Sequence, residues 1–132
     1  MGAWGYKSFE NDDALDWVFE LGEAEDFSIL SATFDELFDE QEDDYLDAYY
    51  CARALAAGEV VAALKGKAAE ELPDEVTAWL EDKAQPAEDL TASAIKAVGA
   101  VVAASELKEL WEETDEFGVW QADVQGLLDR LG

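Results

Sequence analysis

Carboxylates are the side chains with which this chain is equipped to do chemistry, and they fall into two groups. The first is Asp12, Asp13 and Asp16, with Asn11 just before them and Glu20 one turn further on. Clustered carboxylates suit Mg²⁺, Ca²⁺ or a cationic ligand. The spacing is not that of an EF-hand loop, because no Gly sits where the sharp turn needs one and no Glu closes the site. The same residues at a helix start also act as a cap and as negative charge against the positive end of the helix dipole, and this structural role is the stronger expectation. The second group is Asp35, Glu36, Asp39, Glu40, Glu42, Asp43, Asp44 and Asp47, eight acids with no base among them. Charges this dense repel one another. A solvated face is the plainest use for them. A basic partner would relieve the repulsion and be steered in by it. Phe38, Tyr45, Tyr49 and Tyr50 lie nearby, and aromatics are typical interface anchors. The expected partner-binding residues are therefore Asp35, Glu36, Asp39, Glu40, Asp43, Asp44 and Asp47.

Other chemistry is narrowed by what the chain lacks. There is no His, so no Ser-His-Asp triad, Cys-His dyad or His-ligated metal site can form. One Cys leaves no internal disulfide and no zinc or iron–sulfur cage. No glycine-rich phosphate loop or nucleophile elbow is present. Cys51 reads as a small buried hydrophobe, and Arg53, flanked by Ala, as the partner of a carboxylate. Trp17, Trp79, Trp111 and Trp120 read as core. Trp4 stands apart, because Gly2 and Gly5 beside it allow close backbone approach. Trp4, Asp12, Asp13 and Asp16 thus form the candidate ligand region. No catalytic residue, no cofactor and no bound metal are expected.

The charge balance is extreme. The 132 residues carry 33 acids and 8 bases, for a formal charge of −25, yet half of the residues are hydrophobic. A packed core is within reach, while nucleic acid and anionic membranes are repelled. The excess is uneven, with −15 in residues 1–47 and −10 in the remainder. Halophilic adaptation would spread it more evenly. No basic stretch followed by an apolar run opens the chain, and the longest apolar run, Ala97 to Ala104, is too short for a bilayer. A reducing cytoplasm is the expected location.

The elements that must position these residues are helices. Ala14, Trp17, Val18 and Leu21 form one apolar stripe, capped by Asn11 or Asp12 and stopped by Gly22. Phe27, Leu30, Phe34, Leu37 and Phe38 form a second, with Ser28 as its cap. A longer Ala-rich helix runs from about Tyr45 to Leu64, and Gly66 ends it. Within it, Gly58 is either a close-approach point or a break. Pro73 and Asp74 open a helix with Val76, Trp79 and Leu80. Gln85 and Pro86 break the chain before Leu90, Ala94, Ile95, Val98, Val101 and Val102. Ser105 starts a short helix with Leu107, Leu110 and Trp111. Residues 114–118 connect it to the last, with Trp120, Val124, Leu127, Leu128 and Leu131. The expected fold is all-α: a single domain over residues 1–132, a compact bundle of six to seven helices. Residues 1–9 are expected as a short extended segment that docks its aromatics.

Some of these residues also carry a resemblance. Met1 to Gly5 and Phe9 to Trp17 resemble the start of the bacterial domain-of-unknown-function family 4259. Glu59 to Gly66, Leu72-Pro73 with Trp79, and Ser105 to Glu113 with Trp120 resemble its later segments. The likeness spans nearly the whole chain, and its N-terminal block is the most specific part. Where the family usually has a pair of the Thr-Gly type after Trp-Gly, this chain has Tyr6-Lys7. The resemblance implies a small, mostly helical cytoplasmic protein and carries no activity with it.

Charge and fold together point to a non-enzymatic interaction protein that presents an acidic surface to a basic protein, as a nucleic-acid mimic or an immunity-like protein would. The alternative is a small-ligand or carboxylate-metal enzyme using Asp12, Asp13, Asp16 and Glu20. A third reading is a domain whose acidity only keeps it in solution.

Overall fold

A computed structural model describes residues 5–41, 45–69, 72–81, 83, 86 and 88–132. Among these residues there are seven helices and no strand: α1 (Asp12–Glu23), α2 (Ser28–Asp39), α3 (Ala48–Leu64), α4 (Asp74–Leu80), α5 (Glu88–Ala103), α6 (Glu106–Glu112) and α7 (Phe117–Leu131).

The centre of the fold is α3, which packs against all six other helices. Thirteen of its 17 residues are buried, so it is apolar around its whole circumference rather than along one stripe. Small side chains make this possible, since Ala54, Ala56 and Ala57 let neighbouring helices approach. Gly58 is a close-approach point inside an unbroken helix. A Cβ there would lie 2.8 Å from Val98 Cγ2 of α5 and 3.3 Å from Leu127 Cδ2 of α7. The helix begins at Ala48 rather than Tyr45, because the Asp47 carboxylate accepts the Tyr49 N–H at 2.9 Å and fixes the start there. It ends where Gly66 takes a φ of +82°. The Gly66 and Lys67 N–H groups then donate to the carbonyls of Ala63 and Ala62, each at 2.9 Å, which is the Schellman pattern.

The outer helices bury the stripes that periodicity predicts. In α1, Ala14, Trp17, Val18 and Leu21 are buried, and the Asn11 side chain accepts from Ala14 N–H at 2.8 Å. Gly22 does not stop this helix, which continues to Glu23. Ser28 is the first helical residue of α2 rather than its cap. Asp26 does the capping instead, accepting from the Ser28 N–H at 3.0 Å and from its hydroxyl at 2.6 Å. Ser105 caps α6 as expected, through Lys108 N–H at 3.0 Å. The last helix starts at Phe117, inside the segment expected to be a connection. Ile95 is 38% exposed, so α5 is less enclosed than its composition suggests.

Trp17, Trp79, Trp111 and Trp120 all lie in one contiguous cluster of buried side chains. Trp4 lies outside the described residues. Of the segment expected to be extended, residues 1–4 lie outside the described residues, and residues 5–10 follow bends and a turn, with Glu10 N–H donating to the Lys7 carbonyl at 3.0 Å. Polar ties explain this shape. Ser8 donates its hydroxyl to Glu59 at 3.2 Å, and Asn11 reaches back to the Ser8 carbonyl at 3.3 Å. Tyr6 and Phe9 still pack against the core. Among the described residues no single helix is long and apolar enough to cross a membrane.

Candidate functional site

The two acidic groups, separated in sequence, meet around one arginine. Arg53 projects from α3 and is only 6% exposed. Its guanidinium grips Glu20 of α1 with both terminal nitrogens, at 2.6 and 3.2 Å, and reaches Glu36 of α2 at 3.4 Å. It also lies 5.3 Å from the centre of the Tyr49 ring. The planar fork suits a two-point carboxylate grip that Lys cannot make. Burial alone would favour the neutral form of Arg53, but the hydrogen bonds it donates to Glu20 and the charges of Glu20 and Glu36 outweigh it and raise its pKa. Among the described residues its Nε has no hydrogen-bond partner.

Other acids of the two groups stand on the same helices or at their ends. Asp12 and Asp16 are exposed on α1, Asp35 and Asp39 on α2, and Glu40 and Asp47 just beyond helix ends. Asp13 is half-buried at their junction. Partial burial, then the charges of Asp16, Asp12 and Asp47, raise its pKa, while Arg53 pulls the other way. Tyr50 is raised by burial and then by Glu40 and Glu36. Asp43 and Asp44 lie outside the described residues. Asp47 acts on both Asp13 and Tyr50, which joins Asp12, Asp13 and Asp16 to Glu36 and Glu40 around Arg53, a union that periodicity alone did not foresee; Asp35 and Asp39 are exposed on other sides of α2.

Aromatic groups stand in the same surface. Phe19 is 74% exposed, and helical spacing places it on the outward side of α1 with Asp12, Asp16 and Glu23. Tyr49 is 42% exposed and meets Tyr50 edge to face at 4.9 Å. Tyr45 is 45% exposed. Its hydroxyl donates to Glu109 of α6, which together with nearby charge pushes its pKa up to about 12. The loop carrying Tyr45 and Asp47 is held by α6, since Leu46 accepts from Glu106 N–H at 2.9 Å and Ala48 N–H donates to the Glu106 side chain at 2.8 Å. Phe19 was readable in sequence as a large apolar residue off the stripe of α1, as is Leu15.

The interior holds a second charged pair that sequence reasoning missed. Glu59 of α3 is 3% exposed. Arg130 of α7 binds it with both terminal nitrogens, at 2.8 and 3.3 Å, and also donates to the Lys67 carbonyl at 3.2 Å. The available signal was the use of arginine. The chain has six lysines and two arginines, and both arginines hold carboxylates with α3 as one partner.

Two cavities flank the segment at residues 5–10. The smaller, of about 200 Å³, is lined by Asp12, Asp13, Asn11 and Tyr6 against Trp111 and Trp120, whose rings stack 6.5 Å apart. Thus Asp12 and Asp13 of the expected ligand region meet a cavity, while Asp16 does not line it. The larger, of about 600 Å³, contains Glu59 and Arg130. Among the described residues no group of three or more Cys, Asp or Glu side chains is arranged to hold a metal ion. Cys51 is buried, and burial pushes its thiol pKa up to about 12. It is therefore no nucleophile near neutral pH.

The family model described as Domain of unknown function (DUF4259) matches residues 2–123, and the chain belongs to that family. No curated protein and no solved structure matches it at a significant level.

Proposed function

We propose that this DUF4259 protein is a non-enzymatic interaction protein whose acidic face, built by α1, α2 and the start of α3, receives a basic protein. The observation that supports this reading is the convergence at Arg53. Glu20, itself exposed, and the half-buried Glu36 are held by one buried cation, and the neighbouring carboxylates stay at the surface with Phe19 and Tyr49 among them. Exposed aromatics amid charge are what a docking surface needs: the charges steer and set register, and the rings supply contact area. Burial and then the charges of Asp16, Asp12 and Asp47 raise Asp13, and Arg53 offsets them only in part, so an incoming cation gains from the field that remains. A protein that otherwise grips nucleic-acid phosphates, or a basic toxin, has the matching chemistry. The inert buried thiol of Cys51 fits a reducing cytoplasm as the place of action.

The carboxylate-metal alternative has less support. Both oxygens of Glu20 are engaged by Arg53, which leaves Asp12, Asp13 and Asp16 without their fourth member.

The test is capture of partners by the immobilised chain from a lysate of the organism that encodes it, eluted with a salt gradient beside an equally acidic unrelated protein. The reading expects one basic protein enriched over the control, released as salt screens the charges, and bound again when both proteins are purified. Recovery of only the general basic background would end it.

A further inference from the structure

The larger cavity is a separate feature, on the opposite side of residues 5–10 from Asp12 and Asp13. At about 600 Å³ it falls within the range of small-molecule sites. Its walls divide by chemistry. Phe9, Leu72 and Pro73 offer an apolar side, whereas Glu10, Glu59 and Asp123 face Lys7 and Arg130 on the polar side.

Those polar groups are not equally satisfied. Glu59 has the Arg130 fork and the Ser8 hydroxyl. Glu10 accepts the Lys7 N–H at 3.2 Å, and its carboxylate sits where a Cβ on Gly5 would go. Arg130 is spent on Glu59 and the Lys67 carbonyl. Asp123, half-buried on α7, has no hydrogen bond or ion pair among the described residues; of the charges around it Glu59 acts most strongly, with Arg130 and Lys7 opposing. Buried polar groups are normally satisfied, so one left open at a cavity wall asks for a partner.

A glycine keeps the space open. Gly126 lies within α7, where Gly costs about 1 kcal/mol against Ala, and lines the cavity. A Cβ there would meet nothing within 4 Å, so packing against the protein does not demand it. Gly58, by contrast, is demanded by Val98.

We propose that this cavity binds a small organic cation, its ammonium or amidinium group on Asp123 and its apolar body between Phe9, Leu72 and Pro73. An anion is disfavoured, because three carboxylates line the wall against two cations, Lys7 and Arg130, and Arg130 is already engaged by Glu59. The raised pKa of Asp123, caused by burial and then by Glu59 against the opposing pull of Arg130 and Lys7, agrees with a carboxylate whose burial the nearby cations only partly offset.

Benzylamine is a suitable probe, with benzyl alcohol and benzoate as neutral and anionic matches of the same body. Calorimetric titration of the full chain in about 150 mM NaCl suppresses diffuse attraction to the acidic surface. The proposal expects one-site saturation by benzylamine, about tenfold tighter than benzyl alcohol, and no binding of benzoate. Asp123→Asn weakens benzylamine by about tenfold, and Gly126→Leu, which fills the cavity, abolishes binding. Asp129→Asn, at an exposed position on the same helix, leaves it unchanged. Circular dichroism confirms that each variant is folded. Should Gly126→Leu fail to fold, the contrast between Asp123→Asn and Asp129→Asn decides. Absence of saturation, equal binding of benzyl alcohol, or equal effects of the two Asp substitutions would overturn the proposal.

Discussion

Replacing Arg130 by Met isolates a buried carboxylate, and the structure says how much that costs. The side chain of Glu59 is 4% exposed and that of Arg130 26%. Without Arg130, Glu59 keeps, among the described residues, only the Ser8 hydroxyl at 3.2 Å. Breaking a buried pair by removing one partner costs about 3–5 kcal/mol, because the remaining charge is uncompensated. Glu59 borders the larger cavity, where water can reach it, so the lower end, about 3 kcal/mol, is expected for Arg130→Met. The reverse change is milder. Glu59→Met leaves an arginine that retains the Lys67 carbonyl and can turn its head to water, for about 1 kcal/mol. The double variant removes both charges and is expected within about 1 kcal/mol of the parent. At this chain length 1 kcal/mol moves Tm by about 3–4 °C, so Arg130→Met melts about 10 °C lower. Thermal and urea unfolding followed by helical circular dichroism would measure all three variants. A double variant less stable than Arg130→Met alone would refute the reasoning, because it would mean that an unpaired Glu59 is not what costs the fold.

Three further expectations follow from single residues. Cys51, buried and with its thiol pushed up to about 12, should resist iodoacetamide in the native state and react once urea unfolds the chain. Gly58→Ala and Gly126→Ala should act in opposite directions. The first sets a methyl 2.8 Å from Val98 Cγ2 and overpacks the core, a loss of about 1–2 kcal/mol after the helix-propensity gain. The second meets nothing within 4 Å and gains about 0.5–1 kcal/mol, both read by urea unfolding. Asp123 has a raised pKa in the fold, so the folded state binds its proton more tightly than the unfolded chain does. Its ionisation therefore destabilises the fold as pH rises through the folded-state value. Asp123→Asn should raise Tm near neutral pH, and the gain should vanish as pH falls through the ordinary carboxylate value of 3.8.

Much of the fold was legible because six of the seven helices lie at the outside of the bundle. An outer helix must alternate apolar and polar faces, and Trp17 and Leu21 on α1 or Phe34 and Leu37 on α2 announce theirs. The central helix obeys a different rule. Surrounded on all sides, α3 has no polar face, so spacing cannot say which of its charges point inward. Composition gave a partial hint. Arg53, a lone base between alanines in an acidic chain, was readable as the partner of a carboxylate, and it holds two. Glu59 was not readable, because its partner lies 71 residues away on α7, a distance that no local pattern spans. The acidic face was half legible for the same reason. Each cluster is visible as a run of Asp and Glu, but only the packing of α1 and α2 on α3 joins them. Caps were misplaced by one or two residues where a neighbour such as Asp26 had the better geometry.

The claim that the α1–α2 face is the docking surface has one most direct test. A face variant carries Phe19→Ser, Asp16→Asn and Glu40→Gln. A matched variant loses the same numbers of charged and exposed apolar side chains elsewhere, through Val119→Ser, Glu112→Gln and Glu113→Gln. Both are compared with the parent chain for capture of the salt-released basic protein. The account predicts that the parent and the matched variant retain that protein and the face variant loses it. Equal capture by all three, or equal loss from both variants, would contradict it, because net charge rather than this face would then govern binding.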